Sequence, residues 1–233
     1  MRPLINNLKY VLAILPAVML LGCDSPEAVR HRGLNYYLSS AQDLRSIGRV
    51  AFVELAEDDR GGQIAADTTD ELAVALRDNR LFAVNVLHSS DPQYAHTPTD
   101  SPGGLTFEQI AALHKDLDCD AILLGTITTY QPYPHMRMGL QLKLLDLRSG
   151  QLVWAIDQVW DTTEARMEER LKKFFSTHMG KNYEPLGWRL ALTSPRAFEK
   201  FVAWDAASTL PHNEPQEPEK EPGKLNLSDF SNK

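Results

Sequence analysis

The chain has two cysteines, and their surroundings assign them different chemistry. Cys23 closes the stretch Leu20-Leu21-Gly22-Cys23 at the end of the apolar run Val11 to Leu21, with Asp24 next. A thiol directly behind a small residue at such a place is suited to covalent capping once the preceding bond is cut. Cys119 stands between Asp118 and Asp120, five residues after His114. An imidazole in reach would make such a thiol a nucleophile, but its place just before the most apolar stretch, Ala121 to Ile127, favours a small buried thiol. The seven histidines, His31, His88, His96, His114, His135, His178 and His212, show no paired spacing, and no cysteine pair completes a zinc set. Arg60-Gly61-Gly62 occupies the position of a phosphate loop. It lacks the Lys-Ser/Thr or spaced glycines of such motifs and reads as a tight turn. No serine sits in a nucleophile elbow. These residues give no catalytic group, no metal ligand and no cofactor, and the chain is expected not to be an enzyme.

Arg2 and Lys9 make a basic start, Val11 to Leu21 an apolar middle and Gly22 a small residue before the cut, which is the grammar of a secretory signal. The run is too short for a membrane span, which takes about 20 apolar residues. Leu20, Leu21 and Gly22 followed by Cys23 resemble a bacterial lipobox, in which a peptidase cuts before the cysteine and the new N-terminal Cys23 carries lipid, palmitate among its chains. The expected address is the bacterial cell envelope, lipid-anchored and facing the periplasm. Asp24 resembles an inner-membrane retention signal and favours the inner over the outer membrane. Loss of Arg2 and Lys9 takes the formal charge from −7 to −9 (−7 − 2), which argues against a nucleic acid or an anionic lipid surface as partner.

Hydrophobic residues at 43% and charged residues at 24% suit a chain that folds without disulfides. Arg49 to Leu55 and Leu81 to Leu87 read as strands around a helix with apolar positions Ile64, Thr68, Leu72, Ala75 and Leu76. Ser89 to Gly104 is a long proline-broken loop, and loops of that length inside a domain carry function or disorder. Its Asp91, Pro92, Tyr94 and Pro98, with Tyr133 of the break Gln131 to Pro134, form the candidate partner surface. Thr106 and Gln109 spell a capping box for a second helix. Ala121 to Ile127 reads as a central strand. The alternation Met136, Met138, Leu140, Leu142, Leu144, the turn Asp146 to Gly150 and Gln151 to Trp160 predict a hairpin. Trp154 and Trp160 share a face expected to lie in the core. Thr162 or Thr163 is expected to cap a helix through Met167, Leu171, Phe174 and Phe175, and Ser194-Pro195 to open a last one.

The order β-α-β-α-β-β-β-α predicts an α/β (α+β) fold with a mixed sheet and extra C-terminal helices. The expected organisation is a signal peptide 1–22, a lipidated cysteine and short tether 23–47, a single domain 48–210 and a disordered Pro/Glu-rich tail 211–233. Arg49 to Leu55, Leu81 to Val84, Asp120 to Ile127 and Leu144 to Trp154 resemble the domain shared by curli-secretion-channel lipoproteins (CsgG) and lipoprotein activators of penicillin-binding proteins (LpoB). That resemblance implies an anticodon-binding-domain-like fold used for protein contacts. The connection Gln131 to Pro134 is too short for the pore-lining hairpins of the channel, and the tether is shorter than that of the activators.

The favoured expectation is a non-enzymatic envelope lipoprotein whose periplasmic domain binds a protein partner in cell-wall or envelope assembly. A subunit of a secretion or surface-assembly complex, and hence a homo-oligomer, stays open. So does a small-molecule binder or hydrolase with a pocket near Arg60 to Gln63 or Cys119.

Overall fold

Val, Ile, Leu and Phe crowd the segments that pair at the centre of the sheet. The computed structural model describes residues 33–57, 63–97, 106–179 and 186–213. In chain order these form β1 (Tyr36–Leu38), α1 (Ala41–Arg45), β2 (Arg49–Val53), β3 (Ala56–Glu57), α2 (Gln63–Asp78), β4 (Ala83–Leu87), α3 (Phe107–Leu117), β5 (Ala121–Gln131), β6 (Arg137–Asp146), β7 (Leu152–Asp161), α4 (Ala165–Phe174) and α5 (Pro195–Ala207). The sheet runs β1-β7-β6-β5-β2-β4, with β3 extending the β2 side of β5. The mixed α/β architecture expected from the sequence is present.

β2 lies between β4 and β5 and is parallel to both. The crossover through α2 steps from β2 to β4, and the one through α3 steps back across β2 to β5. Right-handed connections stepping in opposite directions place their helices on opposite faces. Accordingly, α2 joins α4 and α5 over the main core, which holds Val50, Phe52, Leu72, Leu123, Trp154, Trp160 and Phe201. On the other face Leu113 of α3 packs on Ala51, Val53, Leu87, Cys119 and Ile122.

From β5 the chain continues as an antiparallel meander. β5 and β6 pair from Ala121↔Asp146 to Gln131↔Arg137, far past the end of β2. The hairpin therefore projects beyond the parallel strands. Before it does so, Gly125 permits close packing between β6 and the β2 side: an added Cβ would lie 2.4 Å from Leu142 Cδ2, 2.6 Å from Leu55 Cδ2 and 3.0 Å from the Gln141 carbonyl. The β6–β7 turn closes as its sequence predicts, with Gly150 at φ +71° and its N–H donating to the Asp146 carbonyl at 2.8 Å.

α5 fastens the elements together. Trp160 Nε1 donates to Asp205 at 2.7 Å, and Trp154 Nε1 donates to Thr209 Oγ1 at 2.9 Å. Arg170 of α4 also pairs with Asp205. Both indoles are fully buried, as expected. At the far end Asn79 Nδ2 donates to the Ala207 carbonyl at 2.7 Å, tying α5 to the end of α2.

Two local expectations are corrected. Residues 34–47 are not tether: β1 pairs antiparallel with β7, Tyr36↔Ile156 to Leu38↔Trp154, and Leu34, Leu44 and Ile47 are buried. Three apolar positions made too short a run to register as a strand. The cap residue of α4 is Glu164, with no side-chain cap bond, because Thr163 is engaged by Asp161, whose carboxylate accepts from the Thr163 N–H and hydroxyl. The capping box of α3 and the Ser194-Pro195 start of α5 form as their sequences predict.

Candidate functional site

In an open α/β sheet the crevice for a ligand opens at the C-terminal ends of adjacent parallel strands whose following helices leave to opposite faces. Here that position lies between β2 and β4, and the chain's own side chains fill it. Glu54 follows β2 and is 7% exposed. Its Oε2 accepts from the Ser89 N–H at 3.0 Å and from His88 Nδ1–H at 3.1 Å, and its Oε1 accepts from Ser89 Oγ at 3.1 Å. The Glu54 N–H donates to the Leu87 carbonyl at 2.9 Å. Beside it, the Leu55 N–H donates to Thr69 Oγ1 of α2 at 3.0 Å. His88 Nε2 stands 3.5 Å from Asp70 of α2.

The order of these groups decides their chemistry. A Ser-His-Asp/Glu triad places the imidazole between carboxylate and hydroxyl. In this network the carboxylate is the middle member, and the Ser89 proton points at Glu54 instead of at His88. Glu54 thus clamps the start of the segment that leaves β4, and it does not arm a nucleophile.

Beyond the clamp the segment is shaped by its own bonds. Asp91 Oδ2 accepts from the His88 N–H at 2.9 Å, and Pro92 opens a 3₁₀ helix, Pro92–His96. The Tyr94 carbonyl accepts from Thr97 Oγ1 at 2.7 Å. The partly buried Tyr94 packs against the smaller core cluster, while Pro92 and Gln93 are exposed. Tyr133, at the tip of the β5–β6 hairpin, is 67% exposed and precedes the cis bond to Pro134. Because β2, β4 and β5 are parallel, this segment and the hairpin tip emerge at the same end of the sheet. Asp91, Pro92 and Tyr94 therefore lie toward the same end of the sheet as Tyr133, with β2 between β4 and β5 and the hairpin carrying Tyr133 farther out. Pro98, the turn Arg60-Gly61-Gly62, the lipobox Leu20 to Cys23 and the tail from 214 lie outside the described residues.

Cys119 is buried, and burial pushes its thiol pKa up. His114 Nδ1–H donates to the Cys119 carbonyl at 2.7 Å, so the imidazole is spent on the backbone. Asp120 accepts from the Gly48 and Arg49 N–H groups at 2.9 Å, and these bonds, Arg49 first, hold its carboxyl below the usual range. Among the described residues no group of three or more His, Cys, Asp or Glu could hold a metal ion, and no helix is long and apolar enough to cross a membrane.

Sequence reasoning passed over Glu54, Ser89 and Asp70. Glu54 reads as one more residue of its strand, and the pairing with His88 spans 34 positions. The available signal was topological: a polar residue at the end of each of two adjacent parallel strands.

No family model matches the chain, and no curated protein is similar to it. Among solved structures it is similar to the PelC dodecamer from Paraburkholderia phytofirmans (13% identity, 75% of this chain and 95% of that one, TM-score 0.44). It is also similar to lipoprotein GNA1162 from Neisseria meningitidis (16%, 51% and 84%, 0.34). A third is the LpoB C-terminal domain from Salmonella enterica (19%, 51% and 93%, 0.34). At such identities and TM-scores the likeness assigns the chain neither an activity nor a partner.

Proposed function

We propose that this chain is a non-enzymatic bacterial envelope lipoprotein, anchored through Cys23, whose domain docks a protein partner on the edge formed by residues 88–97 and the β5–β6 tip. The observation that carries the reading is the Glu54 clamp. A buried carboxyl holds the segment after β4 in one shape at the place where an enzyme of this topology would open a crevice. A pre-shaped segment limits the ordering cost of association, and Tyr133, exposed farther out at the same end of the sheet, is of a residue type enriched among interface anchors. The anchor reading is supported by the lipobox alone.

Two measurements test the two halves separately. Cys23→Ser should move the chain from the membrane to the soluble periplasmic fraction; continued membrane fractionation removes the anchor. Photo-crosslinking residues placed at Gln93 and Tyr133 should trap a common envelope protein that a probe at Val74, exposed on α2, does not. Identical products from all three positions, or a product made only of this chain, would assign the edge to no specific partner or to self-assembly.

A further inference from the structure

The segment before α5 is a 3₁₀ helix, Gly187–Leu192. Three residues per turn put positions three apart on one face, and Leu186, Arg189 and Leu192 follow that spacing. All three are exposed, Leu186 at 52% and Leu192 at 38%. The opposite face is committed to the core: Ala191 is buried, and Trp188 and Leu190 pack against the main cluster. Trp188 is only partly covered, and two cations lie over its ring, Lys172 Nζ at 5.1 Å and Arg189 Cζ at 5.8 Å from the centroid. Lys173, beside Lys172 in the last turn of α4, is exposed as well, and Lys172 also pairs with Glu168. Solvent-facing leucines, a half-covered indole and cations around its rim match the chemistry of a bilayer boundary. Leucine enters the acyl margin, indole sits at headgroup level and the cations meet phosphates.

With Cys23 anchored as proposed, the path of the chain keeps a bilayer within reach of this face. A Cβ added at Gly33 would lie 3.7 Å from Arg166 Nη1, so the chain enters the domain beside the first turn of α4, the helix whose last turn carries Lys172 and Lys173. α4 is about 15 Å long at 1.5 Å per residue. Cys23 precedes Gly33 by ten residues, which reach at most about 35 Å.

We propose that the face of Leu186, Arg189 and Leu192, with Trp188 at its rim, rests on the headgroup layer of an anionic phospholipid bilayer and so sets the orientation of the domain. The inference takes the nearness of a membrane from the lipid-anchor reading, while its chemistry is independent of it. The net acidity of the chain counts against long-range attraction to such a surface, as its charge leads one to expect, but screening over about 8 Å leaves the local cations Arg189, Lys172 and Lys173 to decide contact.

The test uses the chain from residue 23 onward carrying Cys23→Ser, which cannot be lipidated, with vesicles of phosphatidylethanolamine and phosphatidylglycerol or of phosphatidylcholine alone. With the anionic vesicles, brominated acyl chains should quench tryptophan emission, and Trp188→Phe should abolish that quenching. Leu186→Ser with Leu192→Ser should weaken partitioning about tenfold. Arg189→Glu should weaken it about fivefold or more, a difference that raised salt removes. Leu186, Arg189 and Leu192 are exposed, so their variants should keep the wild-type circular dichroism spectrum. Equal partitioning of wild type and variants overturns the proposal, as does no partitioning at all. It is also overturned if the substitutions instead abolish a concentration-dependent dimer, since the face would then belong to a second copy. Vesicle binding by this chain together with a soluble wild-type protein in cells would sink the anchor reading and leave the face standing.

Discussion

Glu199 of α5 is a buried carboxyl facing Tyr130, whose hydroxyl donates to its Oε1 at 3.1 Å. Burial raises its pKa first of all, Asp67 and Glu71 add repulsion, and the Tyr130 bond and Arg196 pull the other way. A carboxyl whose folded pKa lies above its unfolded one contributes stability that is complete below the unfolded value, ~4.3, and is lost as the pH rises through the folded value. Above that window the buried carboxyl costs stability that a neutral side chain would not. Glu199→Gln keeps the acceptor for Tyr130 and removes that cost. Its thermal midpoint should exceed the wild type's by about 2–4 °C near pH 8, and the gap should close near pH ~4, where Glu199 is itself protonated. Circular dichroism melts at both pH values check this; a pH-independent gap would mean that ionisation is not the cause. Neither this pair nor the Glu54 clamp was legible in the sequence. Tyr130 and Glu199 lie 69 positions apart, Glu54 and Ser89 lie 35 apart, and nothing local to any of them marks the partner.

Elements defined by neighbouring residues were legible for the converse reason. The capping box of α3 needs only Thr106 and Gln109, and the β6–β7 turn only Asp146 to Gly150. β1 escaped notice because its strand character comes from pairing with Ile156, Ala155 and Trp154, more than a hundred residues away. α5 was legible as a helix but not as the element that joins β7 to α4. Asp205, 1% exposed, accepts from Trp160 and pairs with Arg170, whose guanidinium also lies 5.9 Å over Phe201. Asp205→Ala removes the buried carboxylate that Arg170 pairs with and leaves the Trp160 indole N–H without its acceptor. It should cost about 3–5 kcal/mol, whereas Asp205→Asn, which retains an acceptor for Trp160, should cost less. Urea unfolding of the two variants measures the difference; equal losses would show that the indole bond carries no part of it.

For the molecule as a whole, the covalent path from Cys23, the proposed anchor, into the domain passes through one thin place. β1 has three residues and bonds to one neighbour, and α1 follows it before the chain reaches β2. With Cys23 anchored and a partner held as proposed, tension between the two enters the fold there. Under load, residues 33–47 should peel away before the β4-to-β7 sheet yields, so this segment acts as a mechanical fuse. Its release lengthens the connection by up to about 50 Å at ~3.5 Å per residue, while the clamped edge and the α5 fastening stay intact. Force-ramp spectroscopy with the pull applied at residue 23 should record that short step ahead of the main rupture, and a single cooperative rupture would show that β1 and α1 bear load with the rest. β1 is thus the part that would let the proposed anchor follow a moving partner.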